Sequence, residues 1–170
     1  MASFGRGDDQ SPFGGEATGA NPTDRAKTGT KREILTDGAG VPLAVAVDGA
    51  HRHDSKLVEA TLVSVQAVGP APREVEQNLC LDKGFDYPWV RELVEQYGYT
   101  AHIRSRGEER RDKARIPGYR ARRWVVERTS SWMSRFRRLL VRWEKKKVYF
   151  LGMLHLACAY ITFRQAGVLG

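Results

Sequence analysis

Cysteine is scarce in this chain. Cys80 and Cys158 are the only two in 170 residues, and neither sits in a Cys-x-x-Cys or Cys/His spacing, which argues against a disulfide scaffold or a structural zinc site. Both are expected to be buried reduced thiols. Long apolar runs are lacking too. The longest, Val148 to Phe163, carries His155 and falls short of the roughly 20 residues a membrane span needs. The opening MASFGRGDDQ has no apolar core of the kind that marks a signal peptide. No membrane association and a cytoplasmic location are expected.

Acidic charge is in deficit, with 20 Asp and Glu against 28 Lys and Arg, a formal +8. A polyanionic partner is favoured, nucleic acid first among candidates, although charge alone selects no chemistry. The 41% apolar content over this length is enough for one ordinary core. One folded domain is expected, over residues 31–166.

Residues 1–30 are rich in Gly, Pro, Thr and Asp without helical or strand period, and are expected to be loop or disordered segment. Two β-rich runs, 33–36 and 41–47, flank Asp37-Gly38-Ala39-Gly40 and predict a hairpin. The spacing of Leu57, Ala60, Thr61 and Val65 predicts a helix over 54–65, with Asp54 as its cap, and Gly69-Pro70-Ala71-Pro72 then breaks the chain. A strand over 78–81 runs into Asp82-Lys83-Gly84. Pro88 opens a helix to Gln96, Gly98 stops it, and a strand over 100–103 follows. Residues 105–121 are expected to be a solvated connector. Trp124, Trp132, Phe136, Leu139 and Trp143 predict one apolar stripe on a long helix over 122–143, and 148–163 a final helix.

Strands alternating with helices make the carboxylates the centre of interest. Asp82 follows an apolar strand and precedes Gly84, a place where ligands gather in open α/β sheets, and equally a common place for a turn-starting Asp. Glu127 shares its helix face with Arg123, Ser131, Ser134 and Arg138. An Arg123–Glu127 pair four residues apart is the ordinary explanation. Around it, however, residues 120–147 hold 11 basic side chains against Glu127 and Glu144. Such a surface attracts phosphate backbones, and carboxylates within it suit divalent cations. Two such ions can activate a water or 3′-hydroxyl and stabilise the leaving oxygen of a phosphodiester.

The runs Gly14-Gly15-Glu16-Ala17-Thr18-Gly19, Asn21-Pro22-Thr23-Asp24-Arg25, Leu35-Thr36-Asp37-Gly38 with Val41-Pro42-Leu43, Leu81-Asp82-Lys83-Gly84-Phe85-Asp86-Tyr87 and Arg123-Trp124-Val125-Val126-Glu127-Arg128 resemble bacterial insertion-sequence transposases of the IS-four/IS-five superfamily. The resemblance continues through Trp132, Phe136-Arg137-Arg138-Leu139 and the terminal apolar segment. It implies an α/β, RNase H-like mixed sheet flanked by helices, carrying a DDE triad in which Asp82 is the second member and Glu127 the third. Both would be catalytic and would hold Mg2+ or Mn2+. Arg123, Arg128, Arg135 and Arg138 would contact double-stranded DNA at transposon ends and target, with the protein nucleoid-associated and a homo-oligomer on DNA. Arg123 keeps the Arg-(3)-Glu part of the family's Tyr-(2)-Arg-(3)-Glu-(6)-Lys pattern, whereas Arg120 and Ser134 replace its tyrosine and lysine.

The family's first aspartate would lie roughly ten residues before the Gly-Gly-Glu run, where this chain has Gly5 and Arg6. Asp8 and Asp9 are the nearest acids. The first strand is therefore expected to be missing, as in a truncated copy or the product of a second reading frame, with an upstream product as a further partner. His51-x-His53-Asp54 lacks the additional histidines a metal phosphohydrolase needs, and Asp37, Asp48 and Asp86 are expected to serve turns. Two functions remain: a metal-dependent DNA strand-cleaving and strand-transferring transposase, or a catalytically inactive DNA-binding remnant or regulator of a full-length one.

Overall fold

The computed structural model describes residues 1–66, 76–104, 106–115 and 123–167, and these form one mixed sheet with helices on both faces. β1 (Ala2–Gln10) occupies the middle. It runs antiparallel to β3 (Thr28–Thr36), from Ser3↔Thr36 to Gln10↔Gly29, and parallel to β5 (Gln77–Asp82), with Ser3 level with Cys80. β4 (Pro42–Gly49) extends the sheet antiparallel to β3, and β6 (Tyr99–Arg104) extends it parallel to β5. β2 (Gly19–Ala20) pairs with the start of β3.

Side-chain alternation along the strands divides the core in two. Phe4, Leu35, Ala44, Leu79 and Leu81 meet Val58 and Leu62 of α1 (Val58–Gln66) and Val90 and Val94 of α2 (Pro88–Gln96). One residue out of phase, Ile34, Val45 and Val47 meet Val126 and Met133 of α4 (Arg123–Met133), Leu139 of α5 (Arg137–Leu140) and Phe150 and Leu154 of α6 (Lys147–Gln165). A slip of one residue would exchange the two sets, so both cores fix the same register. The arrangement is mixed α/β and compatible with an RNase H-like domain.

Several expectations need correction. Residues 2–10 are not loop, and the opening strand is not missing: β1 is central. Its sequence hid it because a strand carrying Arg6, Asp8 and Asp9 has no apolar alternation. Long-range ion pairs compensate, Arg6 Nη1 to Asp54 at 2.6 Å and Asp9 to Arg32 Nη1 at 2.6 Å. The turns after it are also ordered. Asn21 Oδ1 accepts from Thr23 N at 3.0 Å, and Glu16 Oε2 accepts from Lys147 N at 2.9 Å, capping the start of α6. Gly15 (φ 122°) lies so close to the Lys145 backbone that a Cβ would collide with it.

Residues 106–115 form α3 (Arg106–Arg115) instead of a connector. The expected long helix is broken, because α4 ends at Met133 and the chain turns through 134–136 before α5. Val125, Val126, Thr129 and Met133 are its buried side, whereas Trp124 and Trp143 are 39% and 52% exposed. Trp124 lies under Arg128, and Trp143 packs on Phe13 with centroids 5.2 Å apart. Asp54 caps nothing. His53 holds the cap position of a 3-10 turn, Asp54–Leu57, and Asp54 pairs with Arg6 and Lys31. Ala60 is exposed, and Val58 and Leu62 are buried in its stead. Asp48 belongs to β4, not to a turn. Both cysteines are free and half-buried, and burial pushes the Cys158 thiol up to about 11, so it stays protonated. The Gly69–Pro72 break, Arg120 and Arg122 lie outside the described residues.

Candidate active site

Asp82 ends β5, and its Oδ1 accepts from Lys83 N at 2.6 Å at the start of a 3-10 turn, Lys83–Phe85. Phe85, buried edge-on against Phe4 at 5.2 Å, anchors that turn to β1. Glu127 projects from the exposed side of α4, between Val126, which is buried, and Ser130. Both carboxylates line one cavity of about 520 Å³, together with Gly5, Arg6, Asp54 and Ser130. The two acids singled out from sequence thus line one cavity, one from a strand end and one from a helix, beside Gly5 in the interior of β1.

Position 5 explains why the cavity holds no further acid from β1. The parallel ladder ends at Ser3 beside Cys80, two residues before Gly5 on β1 and before Asp82 on β5, and Gly5 and Asp82 then line the same cavity. A Cβ on Gly5 would stand 2.6 Å from Val126 Cγ1, so any side chain there needs Val126 to yield. The next residue, Arg6, directs its guanidinium to Asp54. Burial works against the Asp54 charge, yet bonds from Lys31 and Arg6 outweigh it and hold this carboxyl below the usual range. Asp54 is therefore engaged by two cations. Asp8 and Asp9 do not substitute for a first aspartate, since neither lines this cavity and Asp9 is buried against Arg32. Among the described residues no group of three His, Cys, Asp or Glu is placed to hold a metal, and His51 and His53 join none.

Behind the cavity, Glu33 faces Arg6 across the β1–β3 ladder and is fully buried, with neither oxygen hydrogen-bonded. Burial, reinforced by Asp54, raises its pKa well above the usual range, against the pull of Lys31 and Arg6. A folded-state pKa above the unfolded value means stability that is full below pH about 4.5 and is lost as pH rises through the folded pKa. Glu33→Gln keeps the shape and removes the titration. Urea denaturation from pH 4 to 9 is expected to show stability of the parent falling with pH and a flatter profile for Glu33→Gln. Parallel profiles would refute this.

The basic residues of α4 and α5 divide by role. Arg128 is stacked between Trp124 and Trp132, at 4.6 and 4.8 Å from their centroids, and donates to the Ala39 carbonyl of the β3–β4 hairpin. Arg138 is paired with Glu144 at 2.8 Å. Arg135 is exposed and lines a second cavity beyond the end of α4. Arg123 lies on α4, but its side chain is outside the described residues. Sequence reasoning missed Arg142, which is 1% exposed and binds Thr30 Oγ1 at 2.7 Å, Glu144 O at 2.8 Å and Ala17 O at 3.2 Å. Counted as surface charge, it is an interior clamp.

The family model described as "Transposase DDE domain" matches residues 5–162. A protein of Burkholderia cepacia described as "Putative transposase for insertion sequence element IS402" is 34% identical over 167 residues, 93% of this chain and 75% of its own length. The match includes both β5 with Asp82 and α4 with Glu127, as well as residues 5–10 of β1. The chain belongs to the transposase DDE domain family.

Proposed function

We propose that the chain is the catalytic domain of a DNA transposase that cleaves and transfers strands at insertion-sequence ends, with Asp82 and Glu127 as ligands of Mg2+ or Mn2+. The observation that carries this reading is the convergence of these two carboxylates on one cavity from separate elements. Hard oxygen donors suit a hard cation, and Mg2+ is commonly held by one or two carboxylates, with water and substrate phosphate completing its shell. The donors present therefore fit one ion. When bound, such an ion polarises a phosphate oxygen and activates the attacking water or 3′-hydroxyl. The chain's own part is to hold Asp82 rigidly at the strand end, to present Glu127 over it, and to attract the phosphate backbone with its excess of 28 Lys and Arg over 20 Asp and Glu. Arg123 and Arg135 are the phosphate contacts this reading favours on α4 and beyond it. Arg128 and Arg138 reach DNA only if their present bonds are shared or exchanged. Assembly as a homo-oligomer on DNA, or with an upstream product, belongs to the same reading.

Gly5 favours the second reading, a DNA-binding protein that does not cut, because it leaves the place beside Asp82 without a carboxylate. Nicking of a supercoiled plasmid carrying the element's ends distinguishes the two. The catalytic reading expects Mg2+-dependent nicks from the chain as it stands, abolished by chelator. Binding without nicking supports the second reading, and nicking gained by Gly5→Asp with Val126→Ala would then identify the missing group. Gly5→Asp alone is expected to lower stability by about 1–3 kcal/mol through overpacking against Val126.

A further inference from the structure

Beyond the end of α4 lies a second cavity of about 490 Å³, lined by Trp132, Arg135, Phe136, Tyr160, Arg164 and Gln165, with Ile161 at its base. Three aromatic rings and two guanidinium groups share it with no carboxylate. Several other arginines are neutralised: Arg32 is paired with Asp9, Arg91 with Asp86 and Arg138 with Glu144. Arg135 and Arg164 are exposed and have no ion pair among the described residues. The rings are held in place. Phe136 meets Tyr160 edge-on at 5.6 Å and 87°, and Trp132 carries Arg128 at 4.8 Å. Tyr160 is nevertheless 47% exposed.

Aromatic faces beside unpaired arginines are what an unstacked nucleotide requires. Rings accept the base at about 1–3 kcal/mol each, independent of sequence, and guanidinium groups grip the phosphate in a bidentate manner. Gln165 adds an amide able to meet a base edge. We propose that this cleft binds a single unstacked DNA nucleotide, its base against Trp132, Phe136 and Tyr160 and its phosphate on Arg135 and Arg164. Trp132 lies five residues, about 7.5 Å along the axis, from Glu127 on the same helix and about 140° around it, so the cleft opens on a different side of α4 from the carboxylates. The proposal rests on the reading of this chain as a DNA-acting protein, but requires neither metal nor cleavage.

The test is fluorescence anisotropy of the full chain in chelator, with a labelled oligodeoxythymidylate of about eight nucleotides and a labelled blunt duplex as probes. Tyr160→Ala and the double variant Arg135→Ala/Arg164→Ala are each expected to weaken oligonucleotide binding by at least about 5-fold while duplex binding changes less. Tyr160→Phe, which keeps the ring and the fold, is expected to bind as the parent does. A parallel loss on both probes would reduce the arginines to general phosphate attraction and overturn the proposal. So would unchanged oligonucleotide binding, no binding by the parent, or a change in molar mass in sedimentation showing that Tyr160 serves self-association. Because Mg2+ is absent, loss of nicking in Asp82 or Glu127 variants is a separate outcome.

Discussion

Asp82→Asn and Glu127→Gln are each expected to lower Mg2+-dependent nicking by at least about 100-fold, the scale of losing one electrostatic group at a reacting phosphate. Each substitution preserves shape while removing the charge that holds a cation. Asn at 82 retains an oxygen to accept from Lys83 N, so the 3-10 turn after β5 has reason to survive. Glu127 is exposed, and Gln there disturbs no core. DNA affinity is the control that isolates the effect. Removing a negative charge from a chain of net +8 leaves phosphate attraction intact or stronger. Variants that nick poorly because they bind DNA poorly would therefore point away from metal ligation. Either variant nicking as well as the parent would remove its residue from the site.

Arg142→Ala is expected to cost about 3–5 kcal/mol in chemical denaturation, because several buried neutral acceptors are left unsatisfied at about 1–3 kcal/mol each. The guanidinium bonds β3 through Thr30, the Gly-Gly-Glu turn through Ala17 and the approach to α6 through Glu144, and its ring contact with Phe150 is 5.0 Å. Its own backbone N donates to Gln10 O at 2.7 Å, at the end of β1. Without the side chain, four acceptors lose a donor, Lys145 O among them, and a cavity opens beside Phe150. Ala17 holds φ 53°, a conformation unusual for a residue with a side chain and dependent on its surroundings. Amide hydrogen exchange at residues 14–20 is thus expected to accelerate more than exchange in α2. A loss under about 1 kcal/mol would show that the clamp is dispensable.

These two sites also mark the boundary of what the amino-acid order reveals. Elements specified by neighbours were legible. Pro88 and Gly98 bracket α2 as expected, Gly98 taking φ 81° at its end. Asp37 closes the β3–β4 hairpin, its Oδ1 accepting from Ala39 N and Val41 N at 2.8 Å. The apolar run before Asp82 forms β5. Features specified by distant partners were not legible. β1 is a strand because β3 and β5 pair with it and because Asp54 and Arg32 neutralise Arg6 and Asp9, residues 48 and 23 positions away. Apolar period alone cannot find such a strand. The tryptophan spacing after Arg122 continued across a real break, since a turn of suitable length preserves the phase of a stripe while ending the helix. Arg142 was counted with the basic surface of residues 120–147 because charge in a sequence carries no mark of burial.

Glu127 was identified by its isolation among arginines, and Asp82 by its place after a strand together with the family resemblance. Gly5 sharpens the question of the first acid. β1 is present between β3 and β5, and its Gly5, which lines the cavity with Asp82, has no side chain. Activity therefore turns on how well two carboxylates hold an ion. Electron paramagnetic resonance titration of Mn2+ into the full chain reads that directly, without DNA or a known end sequence. The expected result is saturable Mn2+ binding by the parent that is lost in both Asp82→Asn and Glu127→Gln; no binding by the parent, or equal binding by all three proteins, would contradict it.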